Sequence, residues 1–145
     1  MASNASADPH RRRPRAQIAV RSIGSGDVWT VQDIFAMMDQ CGVSGVSVAR
    51  GCIGNPWIFR QARDMKAGSE PTPPTIAEQR AALLGHFDLA KFLYGDNATG
   101  RRMRKFGIKF AAHHPEPVKV KSEFIRCENS LQWKAVIEKF YQSNS

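Results

Sequence analysis

The sequence has no long apolar run. No segment approaches the roughly 18 consecutive apolar residues that a membrane-spanning helix requires, and the N-terminus lacks the apolar centre of a secretory signal peptide. These absences predict a chain with no membrane partner and with the cytoplasm as its default compartment.

Cysteine is also scarce. Cys41, Cys52 and Cys127 are odd in number and unrelated in spacing, a pattern typical of reduced thiols rather than of a disulfide framework. The adjacent His113 and His114 have no pair of cysteines near them at zinc-finger spacing, so we predict no metal site.

Acidic residues are few relative to basic ones. The chain has 13 Asp and Glu against 21 Lys and Arg, which gives a net charge of +8. Half of this excess lies in residues 1–22, where five arginines stand against Asp8 alone. The charge favours a polyanionic partner, but its sign does not distinguish nucleic acid from another anionic surface.

Two turns of small residues follow short apolar segments and precede predicted helices. The first reads Ser25-Gly26-Asp27-Val28, and the second reads Val48-Ala49-Arg50-Gly51-Cys52-Ile53-Gly54-Asn55-Pro56-Trp57. Glycine lets the backbone approach a ligand closely or take a positive φ, and an arginine can meet a phosphate with two N–H groups. The pattern indicates a phosphate site built from backbone N–H groups, with ordinary tight turns as the alternative.

These strings resemble those of the tRNA-dihydrouridine synthases, which read approximately Asn-Gly-Asp-Ile and Gly-Arg-Gly-Ala-x-Gly-Asn-Pro-Trp. Ser25 stands where asparagine is common in the family, and Ala49 stands where glycine is common. The resemblance implies an FMN-containing barrel whose flavin is reduced by NADPH and then gives hydride to a uracil of tRNA. It also implies that the phosphate end of FMN is held by Ser25, Gly26, Asp27, Ala49, Arg50 and Gly51.

The fold that the resemblance implies is α/β followed by all-α. A complete (β/α)₈ barrel needs about 250 residues, whereas this chain has 145. We therefore expect a fragment that contains the last two β/α units of a TIM barrel and a C-terminal helical bundle. The predicted divisions are a disordered Arg/Ser/Pro-rich arm over 1–16, a partial barrel over 17–66, a linker over 67–74 and a helical tRNA-binding domain over 75–145.

Helix signals agree with this order of elements. Thr30 with Asp33, and Thr75 with Glu78, predict capping boxes that begin helices ending at Gly42 and Gly95. A buried parallel strand is predicted over 43–48, and Asn55 is predicted to cap a helix with Pro56 at its first position. Three further helices are predicted over about 98–112, 118–127 and 130–141.

The predicted helix over 98–112 is strongly basic on one side. At about 100° per residue, the cations gather opposite Met103, Phe106 and Phe110. Such a face is often merely solvated. The resemblance favours contact with tRNA phosphates instead, because the family presents a similar helix to tRNA, and the candidate residues are Arg101, Arg104, Lys105 and Lys109.

The sequence offers no catalytic residue. In the family the acid is a cysteine of an earlier barrel loop, so Cys52 does not inherit that role, and we expect the isolated chain to be inactive. Aromatic residues such as Trp57 and Trp133 have the spacing of packing residues rather than of base-stacking ones. The predicted function is the C-terminal part of a tRNA-dihydrouridine synthase, and the alternative is a non-catalytic RNA-binding helical module with a vestigial phosphate loop.

Overall fold

The computed structural model describes residues 21–142. The predicted disordered arm over 1–16 lies outside the described residues. The elements, in chain order, are β1 (Ile23–Ser25), α1 (Val31–Cys41), β2 (Gly45–Ser47), α2 (Ile58–Lys66), α3 (Ile76–Tyr94), α4 (Asp96–Phe110), α5 (Pro117–Ile125) and α6 (Ser130–Phe140), with short 3₁₀ turns at Arg50–Cys52 and Ala111–His113. Within residues 21–142 no helix combines the length and the apolar character that a bilayer crossing requires.

The first half of the described chain is a β-α-β-α unit, as predicted. β1 and β2 are parallel, with Ile23 paired to Gly45 and Ser25 paired to Ser47. α1 contacts both strands and α2. Their shared apolar cluster is centred on the buried Val28, Val31, Ile34 and Ile58.

The prediction of a buried strand over 43–48 was wrong in burial and too long. β2 spans only Gly45–Ser47 and is half-buried, and Ile23 on the neighbouring strand is 74% exposed. A parallel strand reaches full burial only when helices and further strands cover both of its faces. Here β1 and β2 form a two-stranded sheet, and α1 is the helix that packs against both strands.

The helix ends that were predicted from short sequence signals are present in the structure. Both capping boxes are present, with Thr30 and Asp33 at the start of α1 and with Thr75 and Glu78 at the start of α3. The glycine after α1, Gly42, adopts a left-handed conformation with φ 63°. Such a residue ends a helix without the steric cost that a Cβ would bring.

Asn55 does not cap α2, so that prediction was wrong. Pro56 and Trp57 form a turn instead, in which the Ile58 N–H donates to the Asn55 carbonyl at 3.2 Å, and α2 begins at Ile58 with Trp57 before it. The Asn55 side chain donates to Gln61 Oε1 at 3.0 Å. The extra turn places the asparagine too far from the helix to serve as its N-cap.

The second half of the described chain packs around α4. This helix contacts α3, α5 and α6. Two glycines allow the close approach, since a Cβ on Gly100 would overlap the backbone at Asn129 and Ser130, and a Cβ on Gly107 would overlap the ring of Phe124. The fully buried side chains of this core are Leu83, Phe87, Met103, Val120, Phe124, Trp133, Ile137 and Tyr141.

The two halves meet at the loop between β2 and α2. Gly54 has φ 109° and lies so close to α4 that a Cβ on it would be 2.6 Å from the Cβ of Lys109. The Trp57 ring packs edge-on against Phe110, with 5.5 Å between ring centroids, and against His113 at 5.9 Å. The packing role predicted for Trp57 is therefore confirmed. The domain boundary over 67–74 stays a prediction.

A second contact across residues 67–75 is ionic. Arg60 of α2 donates to the carboxylate of Glu78 in α3, which also accepts from the backbone N–H of Thr75 at 2.8 Å. On the α2 side of the same segment, the Thr72 N–H donates to the Asp64 carboxylate at 2.9 Å. These bonds fix the path of the chain between the two helices.

We predict that Gly54→Ala destabilises the chain more than Gly68→Ala does. Both glycines have positive φ, so alanine costs each about 1–2 kcal/mol of backbone strain, but only Gly54 also faces a neighbouring backbone, whereas a Cβ on Gly68 meets nothing within 4 Å. Overpacking at Gly54 adds roughly 1–3 kcal/mol. Urea unfolding of both variants measures the difference, and equal losses would contradict the close packing of this loop on α4.

We also predict a pH-dependent effect of Glu78→Gln on the melting temperature. The hydrogen bond from Arg60, followed by that from Thr75, lowers the pKa of Glu78 from 4.5 to about 2. Because the folded pKa is depressed, the stabilisation is complete above the unfolded value of 4.5 and disappears as the pH falls toward 2. Glutamine still accepts from the Thr75 N–H, so the variant removes mainly the charge.

The melting temperature of Glu78→Gln should therefore lie below that of the parent at neutral pH and converge with it in acid. Circular dichroism at a series of pH values measures this, with Glu70→Gln at an exposed position between α2 and α3 as the control. A difference that stays constant across the series would assign the effect to packing rather than to charge.

Candidate anion and nucleic-acid interface

Both glycine turns lie at the same edge of the sheet. β1 ends at Ser25 and β2 ends at Ser47, and the two strands run in parallel, so the segments that follow them emerge side by side. The first segment contains Gly26 and Asp27, and the second leads into the 3₁₀ turn Arg50–Cys52. The carboxyl ends of parallel strands are the usual location of ligand sites in α/β folds.

A small cavity of about 70 Å³ lies between these segments. This volume is several times the roughly 10–15 Å³ that one water molecule needs. Five of the six residues predicted to hold a phosphate line it: Ser25, Gly26, Asp27, Ala49 and Arg50. Val28, Trp29 and Ser47 complete its walls, and the sequence analysis had not included them.

The sixth predicted residue, Gly51, is not among the residues that line the cavity. It is buried, and a Cβ on it would overlap the carbonyl oxygen of Val28. Its lack of a side chain lets the second segment rest directly on the backbone of the first. The geometry thus gives Gly51 a packing role in the shape of the cavity.

Arg50 supplies the positive charge of the cavity. Its Nη2 donates to Asp27 Oδ1 at 3.3 Å, with the two side chains 70% and 90% exposed, and its guanidinium carbon lies 5.1 Å from the centroid of the Trp29 ring. An ion pair this exposed is weak because water screens it. The guanidinium can therefore exchange Asp27 for a dissolved anion at little cost.

The backbone of the first turn has an unusual conformation beside this charge. Gly26 has φ 123° and Asp27 has φ 44°, and successive residues of unusual φ can turn their N–H groups toward one concave anion site. On the other wall, Ala49 precedes the turn Arg50–Cys52, and its methyl side chain cannot accept a hydrogen bond from the first N–H groups of that turn.

The N-terminus of α1 contributes less than the sequence implied. The Asp33 carboxylate accepts from the backbone N–H groups of Trp29 at 2.9 Å and Thr30 at 2.7 Å. These bonds lower the pKa of Asp33. They leave fewer N–H groups of the helix start for a bound anion, so Arg50 and the turns carry that task.

The predicted basic face lies on α4. Arg101, Lys105 and Lys109 are exposed, Arg104 is half-buried, and Met103 and Phe110 are buried on the opposite side. Phe106 is only half-buried, and its ring lies against His86 with 4.1 Å between centroids. Within residues 21–142 none of these four cations forms an ion pair.

Arg102 extends this face and was missed from the sequence. It is exposed, and its guanidinium carbon lies 4.0 Å from the centroid of the Tyr94 ring at the end of α3. Arg102 and Lys109 are seven residues apart, so they lie at nearly the same angle around the helix, between its polar and its buried sides. The sequence analysis assigned no role to Arg102. We call Arg101, Arg102, Arg104, Lys105 and Lys109 the basic face of α4.

Several other reactive side chains of the described chain have structural partners, whereas Cys41 is an exposed thiol. The thiol of Cys52 donates to the Ala49 carbonyl at 2.9 Å, and Cys127 is buried between α5 and α6. His114 is buried with its Nε2 2.8 Å from the Phe140 carbonyl, while the neighbouring His113 faces Trp57. Among residues 21–142 no group of His, Cys, Asp and Glu has the arrangement of a metal site.

Comparison with known proteins agrees with these features. The family model described as dihydrouridine synthase (Dus) matches residues 13–144. A probable tRNA-dihydrouridine synthase of Mycobacterium tuberculosis is 37% identical over 84 residues, which is 57% of this chain and 22% of that protein.

Two longer matches are to proteins named tRNA-dihydrouridine synthase B. The one from Xanthomonas campestris is 30% identical over 115 residues, covering 79% of this chain and 35% of that protein. The one from Shewanella oneidensis is 24% identical over 128 residues, covering 88% of this chain and 39% of that protein. In each case the chain matches well under half of the relative's length. Because the family model spans nearly all of the sequence, the chain belongs to the dihydrouridine synthase family.

Proposed function

We propose that this chain is the C-terminal part of an FMN-dependent tRNA-dihydrouridine synthase, which reduces uridine in tRNA with NADPH in the cytoplasm. The observation that carries the proposal is the meeting of both glycine turns around one cavity beside Arg50. If the two glycine segments were merely ordinary tight turns, they would have no reason to lie around the same cavity. In this proposal, residues up to 66 are the last two β/α units of a TIM barrel, and residues from 75 are the tRNA-binding helical domain.

The cavity fits the phosphate end of FMN in size and in chemistry. Its positive side chain is Arg50, and the unusual φ angles at Gly26 and Asp27 suit N–H groups that point at an anion. The bound flavin would supply hydride transfer to the uracil ring. The residues of this chain would hold and orient the cofactor by its phosphate, with Ser25, Ala49 and Ser47 forming the walls.

The basic face of α4 would bind the phosphates of tRNA. Its cations are free of acidic partners within the described chain, so binding RNA phosphates would not require breaking ion pairs. Contacts of this type provide affinity and orientation and do not read the base sequence.

A non-catalytic RNA-binding module is the second candidate. The pair between Arg50 and Asp27 is the observation that favours it, because Asp27 competes with a cofactor phosphate for the guanidinium, although weakly at this exposure. The two functions differ in whether the chain binds FMN through the cavity.

We predict that Arg50→Ala weakens FMN binding and that Asp27→Asn strengthens it. Loss of a charged hydrogen bond to phosphate corresponds to about a tenfold weaker affinity. Asparagine removes the competing charge at position 27 and tolerates the positive φ found there. Calorimetric titration measures both effects.

Riboflavin, which lacks the phosphate, is the ligand control, and Arg63→Ala on the exposed surface of α2 is the variant control. Arg50→Ala should leave riboflavin binding unchanged, and Arg63→Ala should bind FMN as tightly as the parent chain. If Arg50→Ala binds FMN as tightly as the parent chain, the phosphate site is wrong and the non-catalytic function is favoured.

We further predict that replacing Arg101, Arg104 and Lys105 together with Gln flattens the salt dependence of tRNA binding. Each contact with phosphate adds about 0.7–0.9 to the slope of log K against log salt, so three contacts contribute about 2 to 3. The matched control replaces with Gln three exposed lysines on other helices that form no ion pair within residues 21–142, namely Lys66, Lys121 and Lys134. Equal slopes for the two triple variants would leave the basic face as a solvated surface.

A further inference from the structure

A groove of about 340 Å³ lies in the second half of the described chain, between the end of α5 and α6. Its volume falls in the range of roughly 300–1,000 Å³ typical of pockets for small organic ligands. None of the residues that line it belongs to the small cavity beside Arg50 or to the basic face of α4. The phosphate site and the RNA-binding surface of the proposed function therefore give no account of this groove.

The deepest part of the groove is apolar. Val136 and Cys127, which line it, are 6% and 2% exposed, and Ala135 lines it beside them on α6. The Cys127 thiol donates to the Glu123 carbonyl at 3.4 Å. Burial raises the pKa of this thiol, so it stays uncharged and behaves as a small apolar group. Such a surface favours a ligand with a hydrocarbon body.

The charged groups around the groove leave an excess of positive charge. Lys139 pairs with Glu123 at 3.4 Å across the two helices, so these two charges offset each other. Arg126 is exposed and forms no ion pair within residues 21–142. Arg104 of α4 lies close enough for its charge to act on the Cys127 thiol, where it opposes the effect of burial. An anionic ligand group at Arg126 would balance this excess.

Gln132 adds a neutral hydrogen-bond donor to the groove. Its Oε1 accepts from the backbone N–H of Glu128 at 2.8 Å, which orients the side chain. Because that oxygen is engaged, the group that Gln132 has left to offer a ligand is its Nε2 donor. Arg126 and Gln132 both line the groove, and both donate hydrogen bonds, so they suit an anionic acceptor with two oxygens.

We propose that this groove binds a small apolar monocarboxylate, with its hydrocarbon part on Val136 and Ala135 and its carboxylate at Arg126 and Gln132. A carboxylate is favoured over a phosphate monoester because the latter carries about −1.5 to −2 charges at neutral pH. The Glu123 carboxylate lines the same groove and would repel the second charge. Neither FMN nor tRNA is involved, so the inference goes beyond the proposed function.

The test titrates the full chain with 2-naphthoate and with 2-naphthamide, its uncharged isostere, by calorimetry. A charged hydrogen bond contributes about a tenfold difference in affinity. The parent chain should therefore bind the naphthoate about tenfold more tightly than the amide, and Arg126→Gln should remove most of this preference. Arg63→Gln replaces an exposed arginine of α2 and is the matched control, which should keep the preference.

A second pair of variants tests the apolar part of the groove. Ala135 is exposed on α6, so Ala135→Phe places a ring in the groove without disturbing the core and should abolish binding of both ligands. Ala81→Phe makes the same change at an exposed position of α3 that lies outside the groove, and it should bind both ligands as the parent does. Circular dichroism verifies that both variants fold.

Equal affinities of the parent for the naphthoate and the amide would overturn the proposal, as would a preference that survives Arg126→Gln. Absence of naphthoate binding at millimolar concentration would also overturn it. Inorganic phosphate is titrated in parallel, and binding as tight as that of the naphthoate and equally dependent on Arg126 would contradict the assignment to a monocarboxylate. FMN and tRNA should bind Arg126→Gln and the parent alike, so failure of this proposal leaves the proposed function standing.

Discussion

The arrangement of the described chain depends on the loop between β2 and α2, which touches neighbouring backbone on two sides. Gly51 rests on the carbonyl of Val28, and Gly54 rests on α4 at Lys109. A side chain at either position would force the segments apart, since protein interiors leave no room for an added group at these separations. The one loop therefore sets the shape of the small cavity and, three residues later, the position of the basic helix relative to that cavity.

Charge is distributed unevenly over this framework. Three lysines on other helices have acidic partners, in the pairs Lys91–Asp96, Lys119–Glu116 and Lys139–Glu123, whereas none of the five cations of the basic face of α4 forms an ion pair within residues 21–142. Exposed ion pairs contribute little to stability. Their absence on α4 thus costs the fold little and leaves a surface of concentrated positive potential that attracts a polyanion.

Features that depend on neighbouring residues were predicted from the sequence more accurately than features that depend on distant contacts. Both capping boxes, the glycine ends of α1 and α3 and the short helix α5 were predicted because each depends on residues within one or two turns. The failure at Asn55 had a different cause, since Trp57 in the turn before α2 packs against Phe110 at the end of α4 and against His113 in the 3₁₀ turn that follows, and these residues are distant in sequence. The same limit applies to Gly54 and Lys109, whose contact joins residues 55 positions apart in sequence. The family strings were nevertheless recognisable, because Gly51, Gly54 and Trp57 are the residues that these contacts require.

In the proposed function, the shared position of Arg50 determines which cation serves which anion. Arg50 borders both the small cavity and an open cleft of about 460 Å³ where the two halves of the described chain meet, so a phosphate bound in the cavity would neutralise much of its charge. Charges separated by less than the Debye length of about 8–10 Å influence one another, and a neutralised Arg50 attracts a second phosphate less strongly. Among the described residues that line the cleft, the other lysine or arginine is Lys109, and the row of cations continues from it to Lys105 and Arg101 along α4. Cofactor and RNA would then divide the positive charge between them, with Arg50 holding the first and Lys109 beginning the row that holds the second.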